Sequence, residues 1–227
     1  MESSPSLVGT LLDTPSVRIT GWFVKSVFLT LMIALIAGVS PASARSKILV
    51  MGDSISAAYG IQRDAGWVAL LDRRLSETAS PWQVVNASIS GETTGGGLAR
   101  LPKALEAHDP EIVIIELGGN DGLRGYPVSR IRENLDKLVE LAVTGGRRVL
   151  LLGMRIPPNY GPRYTRAFED MYRDVAEAHG VRFVPFILEA VALNPGLMQD
   201  DGIHPTAEAQ QKLLDSVWPE LQQVLDG

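Results

Sequence analysis

Five short, largely apolar runs, each with a polar or glycine-rich segment after it, the last of these farther downstream, constrain this fold more than any other feature of the sequence. They are residues 47–51 (KILVM), 83–87 (QVVNA), 112–117 (IVIIEL), 149–152 (VLLL) and 182–186 (RFVPF). Apolar runs of this length with little polar alternation suit strands covered on both faces. Between them, apolar residues return at helical spacing: Trp67, Val68, Leu70, Leu71 and Leu75, then Leu98, Leu101 and Leu105 with Pro102 near the start or at a kink. The pattern continues with Val128, Ile131, Leu135, Leu138 and Val139, stopped by Gly145 and Gly146, and then Phe168, Met171, Tyr172 and Val175. A last helix is expected over about 206–225, opened by Pro205. Strand alternating with helix predicts the α/β class: a five-stranded parallel sheet with helices on both faces. No linker, repeat or shift of composition interrupts it, so the alternating region reads as one domain.

Composition narrows the function. A net charge of −5 argues against a general nucleic-acid binder. The absence of cysteine removes a thiol nucleophile, a thiolate metal site and any disulfide framework.

The first 44 residues read differently from the rest. Arg18 and Lys25 precede an apolar run at 27–39, followed by Ser40, Pro41 and the small triplet Ala42, Ser43, Ala44. Basic segment, short apolar run and A-x-A site are the parts of a secretory signal peptide. Cleavage after Ala44 would leave a domain of residues 45–227, periplasmic or secreted. The run is short for a membrane span, which needs roughly 20 apolar residues. An uncleaved N-terminal anchor is the alternative, and after cleavage no stable span is expected.

In a parallel sheet, ligands bind beyond the carboxyl ends of the strands. The segments there are 52–56 (GDSIS), 88–92 (SISGE), 118–122 (GGNDG), 154–160 (MRIPPNY) and 200–205 (DDGIHP). By position alone Ser54 reads as an ordinary N-cap serine. His204 changes that, because Asp201 lies three residues before it and a carboxylate there can fix an imidazole as a general base. The other histidines, His108 and His179, read as surface or helix-end residues. The D-x-x-H spacing is by itself weak, and a metal pair or a surface turn would also satisfy it. A zinc site usually needs a third ligand, and no H-E-x-x-H is present. Gly91 can offer a backbone N–H, Asn120 a side-chain amide and Ser54 its own N–H to a developing oxyanion. The glycines at 95–97 and 118–119 read equally as turn residues. The phosphate-loop, dinucleotide and G-x-S-x-G patterns are all absent.

In order, Gly52-Asp53-Ser54-Ile55-Ser56, Gly91, Gly119-Asn120-Asp121 and Asp201-Gly202-Ile203-His204-Pro205 resemble the four blocks of the SGNH hydrolases, also called GDSL esterases. Residues 86–93, 116–125 and 200–205 are similar to the bacterial periplasmic arylesterases, thioesterases and lysophospholipases of that family. The resemblance runs from about Lys47 to the C-terminus. It implies a flavodoxin-like α/β/α sandwich. It further implies Ser54 as nucleophile, Asp201 and His204 as the rest of the triad, and Ser54, Gly91 and Asn120 as oxyanion donors. It implies no metal and no organic cofactor, and the expected partner is a small acyl ester or thioester acted on by a monomer.

Three functions compete. The first is a secreted serine hydrolase of esters, fatty-acyl thioesters and lysophospholipids. The second keeps the site but removes acetyl groups from carbohydrate. The third, a non-enzymatic binder, would have no reason to gather Ser, Asn, Asp and His. Leu123, Met154, Ile156, Pro157 and Tyr160 are apolar candidates for the substrate site and favour a longer acyl chain, although ordinary packing would also account for them. Arg124 and Arg155 complete the substrate-binding candidates, with Arg124 placed to meet a phosphate or carboxylate. Gly122 and Gly125 bracket Leu123 and Arg124 as possible hinges.

Overall fold

The computed structural model describes residues 1–2, 45–78 and 80–227, so the expected signal peptide lies, but for its first two residues, outside the described residues. Residues Arg45–Gly227 form one compact unit. Five strands, β1 (Ser46–Gly52), β2 (Trp82–Asn86), β3 (Ile112–Glu116), β4 (Arg148–Leu152) and β5 (Arg182–Val184), pair in parallel in the order β2-β1-β3-β4-β5. Register is continuous across the centre: Ile48 lies opposite Val84 on one side and Ile112 on the other. Every residue of β3 is buried, as an apolar run covered on both faces requires.

Among the described residues there are six α-helices: α1 (Trp67–Glu77), α2 (Thr94–His108), α3 (Gly119–Leu123), α4 (Val128–Thr144), α5 (Pro162–His179) and α6 (Gln210–Asp226). Helices α1 and α6 pack together on one face, and α2, α4 and α5 form the other layer. Their buried stripes are the ones the spacing predicts: Trp67, Val68, Leu71 and Leu75 on α1, Ile131, Leu135, Leu138 and Val139 on α4, Phe168, Met171, Tyr172 and Val175 on α5. This is the three-layer α/β/α sandwich expected from the sequence. Its strand order reverses between β1 and β3, and the crevice at such a switch point is where open parallel sheets bind ligands.

Several boundaries differ from expectation. Helix α2 starts at Thr94, capped by Thr93, whose hydroxyl accepts the Gly96 N–H at 3.1 Å. The glycines at 95–97 are therefore helical, not a turn, and Pro102 sits mid-helix. Gly97 has a packing reason: a Cβ there would lie 2.3 Å from Leu117 Cδ1. Strand β5 stops at Val184, before Pro185, which has no N–H to continue the ladder. The last helix begins at Gln210 after a 3₁₀ turn at Ala207–Ala209, and it carries Pro219 in its interior. The segment after β3, whose Gly118 and Gly119 read equally as turn residues, forms the short helix α3. Among the described residues no helix is long and apolar enough to cross a membrane.

Candidate active site

Strand β1 delivers Ser54 to the switch point. The chain leaves the strand at Gly52 and winds at once into a tight turn, where the Asp53 and Ser54 carbonyls accept the Ala57 and Tyr59 N–H groups at 2.9 and 3.1 Å. Asp53 locks the start of this turn, its Oδ1 accepting the Ile55 N–H at 3.0 Å. Only a residue without a side chain fits at Gly52, because a Cβ would meet Glu116 Oε2 and Ser56 Cβ at 2.7 Å. Ser54 is largely buried at the floor of the crevice.

The segment after β5 brings His204 over it. His204 Nε2 lies 2.8 Å from Ser54 Oγ, and Nδ1 lies 2.6 Å from Asp201 Oδ2. Asp201 Oδ1 accepts the backbone N–H groups of Ile203 and His204 at 2.9 and 3.0 Å. Partial burial pulls the Asp201 carboxyl upward, but these hydrogen bonds and the imidazole outweigh it and bring it down to about 2. It is therefore an anion throughout the neutral range. Ser54 and the Asp201–His204 pair, 150 positions from Ser54 to His204, thus form one chain, carboxylate to imidazole to hydroxyl. The other histidines sit at the C-terminal ends of α2 and α5, His179 beside Asp136 at 3.3 Å. Among the described residues no cluster of His, Asp and Glu is arranged to hold a metal ion.

Asn120 rides on the first turn of α3, directly beyond β3, and its Nδ2 donates to Asp53 Oδ2 at 3.1 Å. One amide proton is thereby engaged beside the Ser54 turn and the other is free. Gly91 follows β2 with φ +79°, a backbone conformation that favours glycine, while open space surrounds its Cα. Its carbonyl accepts Arg124 Nη2 at 3.3 Å, which ties this loop to the end of α3.

The floor beneath Ser54 holds two buried carboxyl groups. Burial pushes the Asp53 carboxyl up to about 6. Burial and the neighbouring Asp53 push Glu116, the last residue of β3, well above the usual carboxylate range. Glu116 Oε2 accepts from Ser56 Oγ at 2.7 Å and from the Asp53 N–H at 3.2 Å, and Trp67 Nε1 donates to Ser56 Oγ at 3.2 Å.

The substrate-binding candidates divide. Met154 and Ile156 are buried under α3, where Cβ atoms at Gly119 and Gly122 would meet them at 3.0 and 2.7 Å. Leu123 is half-buried, and its carbonyl accepts the Tyr160 hydroxyl at 2.7 Å. Tyr160 continues into an apolar groove of about 430 Å³ that it lines with Val128, Tyr164 and Ala167. Pro157 is exposed beside that groove's 3₁₀ turn. Arg124 is exposed and spends one donor on Gly91. Arg155 is engaged by Glu169 and Glu189 and lies over the Phe186 ring.

Sequence reasoning missed four contributors. Tyr59, half exposed, places its ring 4.4 Å from the His204 ring. Gln199 braces that corner by donating to the Tyr59 and Pro205 carbonyls. Trp67 and Glu116 sit inside patterns read purely as core. For Glu116 the signal was present, since an acid in an otherwise apolar central strand needs a partner.

Comparison with known proteins identifies the family. The GDSL-like lipase/acylhydrolase family model matches residues 50–212. The chain is 49% identical to the esterase TesA of Pseudomonas aeruginosa, over 88% of this chain and all of that one. It is 42% identical to the thioesterase 1/protease 1/lysophospholipase L1 of Escherichia coli, over 82% of this chain and 88% of that one. A crystal structure of TesA superposes with a TM-score of 0.77 at 51% identity, covering 79% of this chain and 99% of that one. On this family match and these relatives, the chain belongs to the GDSL-like lipase/acylhydrolase family of hydrolytic enzymes.

Proposed function

We propose that this enzyme is a serine hydrolase of carboxylic esters and fatty-acyl thioesters, with arylesterase and lysophospholipase activity, working through an acyl-enzyme. The observation that carries the reading is the unbroken chain from Asp201 through His204 to Ser54 Oγ, with hydrogen bonds of 2.6 and 2.8 Å. Neutral His204 accepts the Ser54 proton on Nε2 as Oγ bonds to the substrate carbonyl carbon. The carbonyl oxygen becomes an oxyanion held by the N–H groups of Ser54 and Gly91 and the free amide proton of Asn120. Asp201 stabilises the imidazolium and keeps its Nδ1 protonated. The tetrahedral centre collapses, the C–O or C–S bond breaks, and the leaving alkoxide or thiolate takes the proton from Nε2. Water then repeats the sequence, giving its proton to His204 and its oxygen to the acyl carbon, and Ser54 is released with the free acid.

The half-buried Leu123 and the apolar groove beyond Tyr160 favour a longer acyl chain over acetyl. Residues 1–44 serve as the signal peptide, a reading supported by their composition and by the compact unit's beginning at Arg45, just past the A-x-A site. Turnover of p-nitrophenyl esters and acyl-CoAs of graded chain length, with Ser54→Ala as control, tests the function. The expected result is activity on both bond types that rises with chain length. Activity confined to acetylated sugars would replace the substrate assignment, and full activity in Ser54→Ala would remove the nucleophile.

A further inference from the structure

The mechanism uses Asn120 but does not explain what decides which end of its side-chain amide meets the oxyanion. The two ends are nearly the same size and opposite in effect: nitrogen donates a proton, whereas oxygen presents a lone pair that repels negative charge. The groups around Asn120 settle the choice. Its Nδ2 lies 3.1 Å from Asp53 Oδ2, and a carboxylate can only accept. Asp53 cannot turn away, because its other oxygen is occupied by the Ile55 N–H at 3.0 Å and its own N–H is held by Glu116 Oε2 at 3.2 Å. Glu116 is fully buried, and its Oε2 is fixed by the Ser56 hydroxyl, which in turn takes the Trp67 indole N–H. Its other oxygen, Oε1, is buried with no hydrogen-bond partner, an environment that disfavours the charged form. A neutral Glu116 beneath an anionic Asp53 leaves Asp53 the acceptor that Asn120 needs.

We propose that Asp53 is a positioning residue for the oxyanion site, acting through Asn120: anchored from below by Glu116, it fixes the amide with nitrogen toward the reacting carbonyl. The proposal rests on the reading of Ser54 as nucleophile and Asn120 as oxyanion donor, and it assigns work to a buried acid pair that the triad leaves unused. In Asp53→Asn, the Ile55 N–H retains the new amide's oxygen, and the new amide's nitrogen faces Asn120. The Asn120 amide then flips to accept from that nitrogen. Its oxygen takes the place of Nδ2 and turns a lone pair toward the oxyanion.

The test is a double-mutant cycle on p-nitrophenyl butyrate hydrolysis, with thermal melts to establish folding. Asp53→Asn is expected to lower kcat by about 10²–10³, as far as Asn120→Ala does, with KM changed less than about threefold. In the Asn120→Ala background the same Asp53 substitution is expected to cost less than about threefold, since the residue it acts through is gone. Full additivity of the two losses, or an Asp53→Asn enzyme within about threefold of wild type, overturns the proposal. A second measurement needs no Asp53 variant. In asparagine-¹⁵N-labelled wild type, the Asn120 side-chain signal, assigned by its loss in Asn120→Ala, is expected to show one of its two protons protected from solvent exchange. Equal, rapid exchange of both protons overturns the proposal. Ser54→Ala separates the two levels of the argument: if it stays active the nucleophile reading fails, whereas additivity in an enzyme that needs Ser54 removes only the role of Asp53.

Discussion

Replacing Asp201 by Asn should disable the enzyme while leaving the molecule standing. The two backbone N–H groups of Ile203 and His204, at 2.9 and 3.0 Å from Oδ1, can only donate, so they hold the oxygen of the new amide. Its nitrogen then replaces Oδ2, 2.6 Å from His204 Nδ1, and offers a proton where the native carboxylate accepts one. The imidazole responds by carrying its proton on Nε2. That nitrogen faces Ser54 Oγ at 2.8 Å, and once protonated it cannot take the hydroxyl proton. A wrong tautomer of this kind costs about 10⁴ in kcat, or about 5.5 kcal/mol of transition-state stabilisation. The Asp201 side chain is 40% exposed and buries little in the core, so the melting temperature should fall by only a few degrees, the loss coming from the carboxylate's hydrogen bonds. Steady-state hydrolysis of p-nitrophenyl butyrate at pH 7.5, with thermal melts of both proteins, measures both quantities. A folded Asp201→Asn enzyme within about tenfold of wild type would refute the reasoning that Asp201 sets the His204 tautomer.

Other outcomes follow from the buried acids and the rim of the site. Asp53, raised from 3.8 to about 6, binds its proton more tightly in the folded chain than in the unfolded one, so stability falls as pH rises from about 4 through 6, by about 3 kcal/mol from this group alone. Asp201 acts in the opposite sense, but its contribution is lost only below about pH 4, outside that window. Glu116 shifts in the same direction as Asp53, so the melting temperature of Glu116→Gln should match wild type near pH 4 and exceed it increasingly toward pH 8; an advantage independent of pH would mean that Glu116 is ionised in the fold. Leu123→Ala should depress kcat/KM for long-chain acyl substrates about tenfold while sparing p-nitrophenyl acetate, and equal losses on both would remove this loop from chain-length selection. N-terminal sequencing of exported protein should begin at Arg45, and a retained apolar segment in the membrane fraction would count against the signal-peptide reading.

The fold was legible because its determinants are local and periodic. The run at 112–117 sets a fully buried central strand, and the α4 and α5 stripes need no knowledge of their neighbours. The misread boundaries are those set by tertiary contact or by one capping bond. Helix α2 begins four residues before its first predicted apolar position because Thr93 caps it and Gly97 must pass close to Leu117. The proposed triad residues could be named because Ser54 follows directly on β1 and because Asp201 and His204, in the polar segment downstream of β5, are residue types that carry proton-transfer chemistry. The acid pair under Ser54 was harder to see: Asp53 was read as part of a turn, and Glu116 is hidden in an apolar run although burying its charge is costly. Tyr59 and Gln199 gave no such signal. Tyr59 packs on the His204 ring from a distant part of the chain and Gln199 donates to the Tyr59 carbonyl across 140 positions, and no local pattern encodes that proximity.

The central claim is that Ser54 Oγ is the atom that forms a covalent bond with the acyl group. Reaction with a fluorophosphonate, followed by intact-mass measurement and peptide mapping, tests it most directly. The account predicts a single stoichiometric adduct on the peptide containing Ser54, formed by the native enzyme, absent after heat denaturation and absent in Ser54→Ala. A single adduct mapped to another residue, or hydrolysis that continues unimpaired in an enzyme fully modified at Ser54, would contradict it.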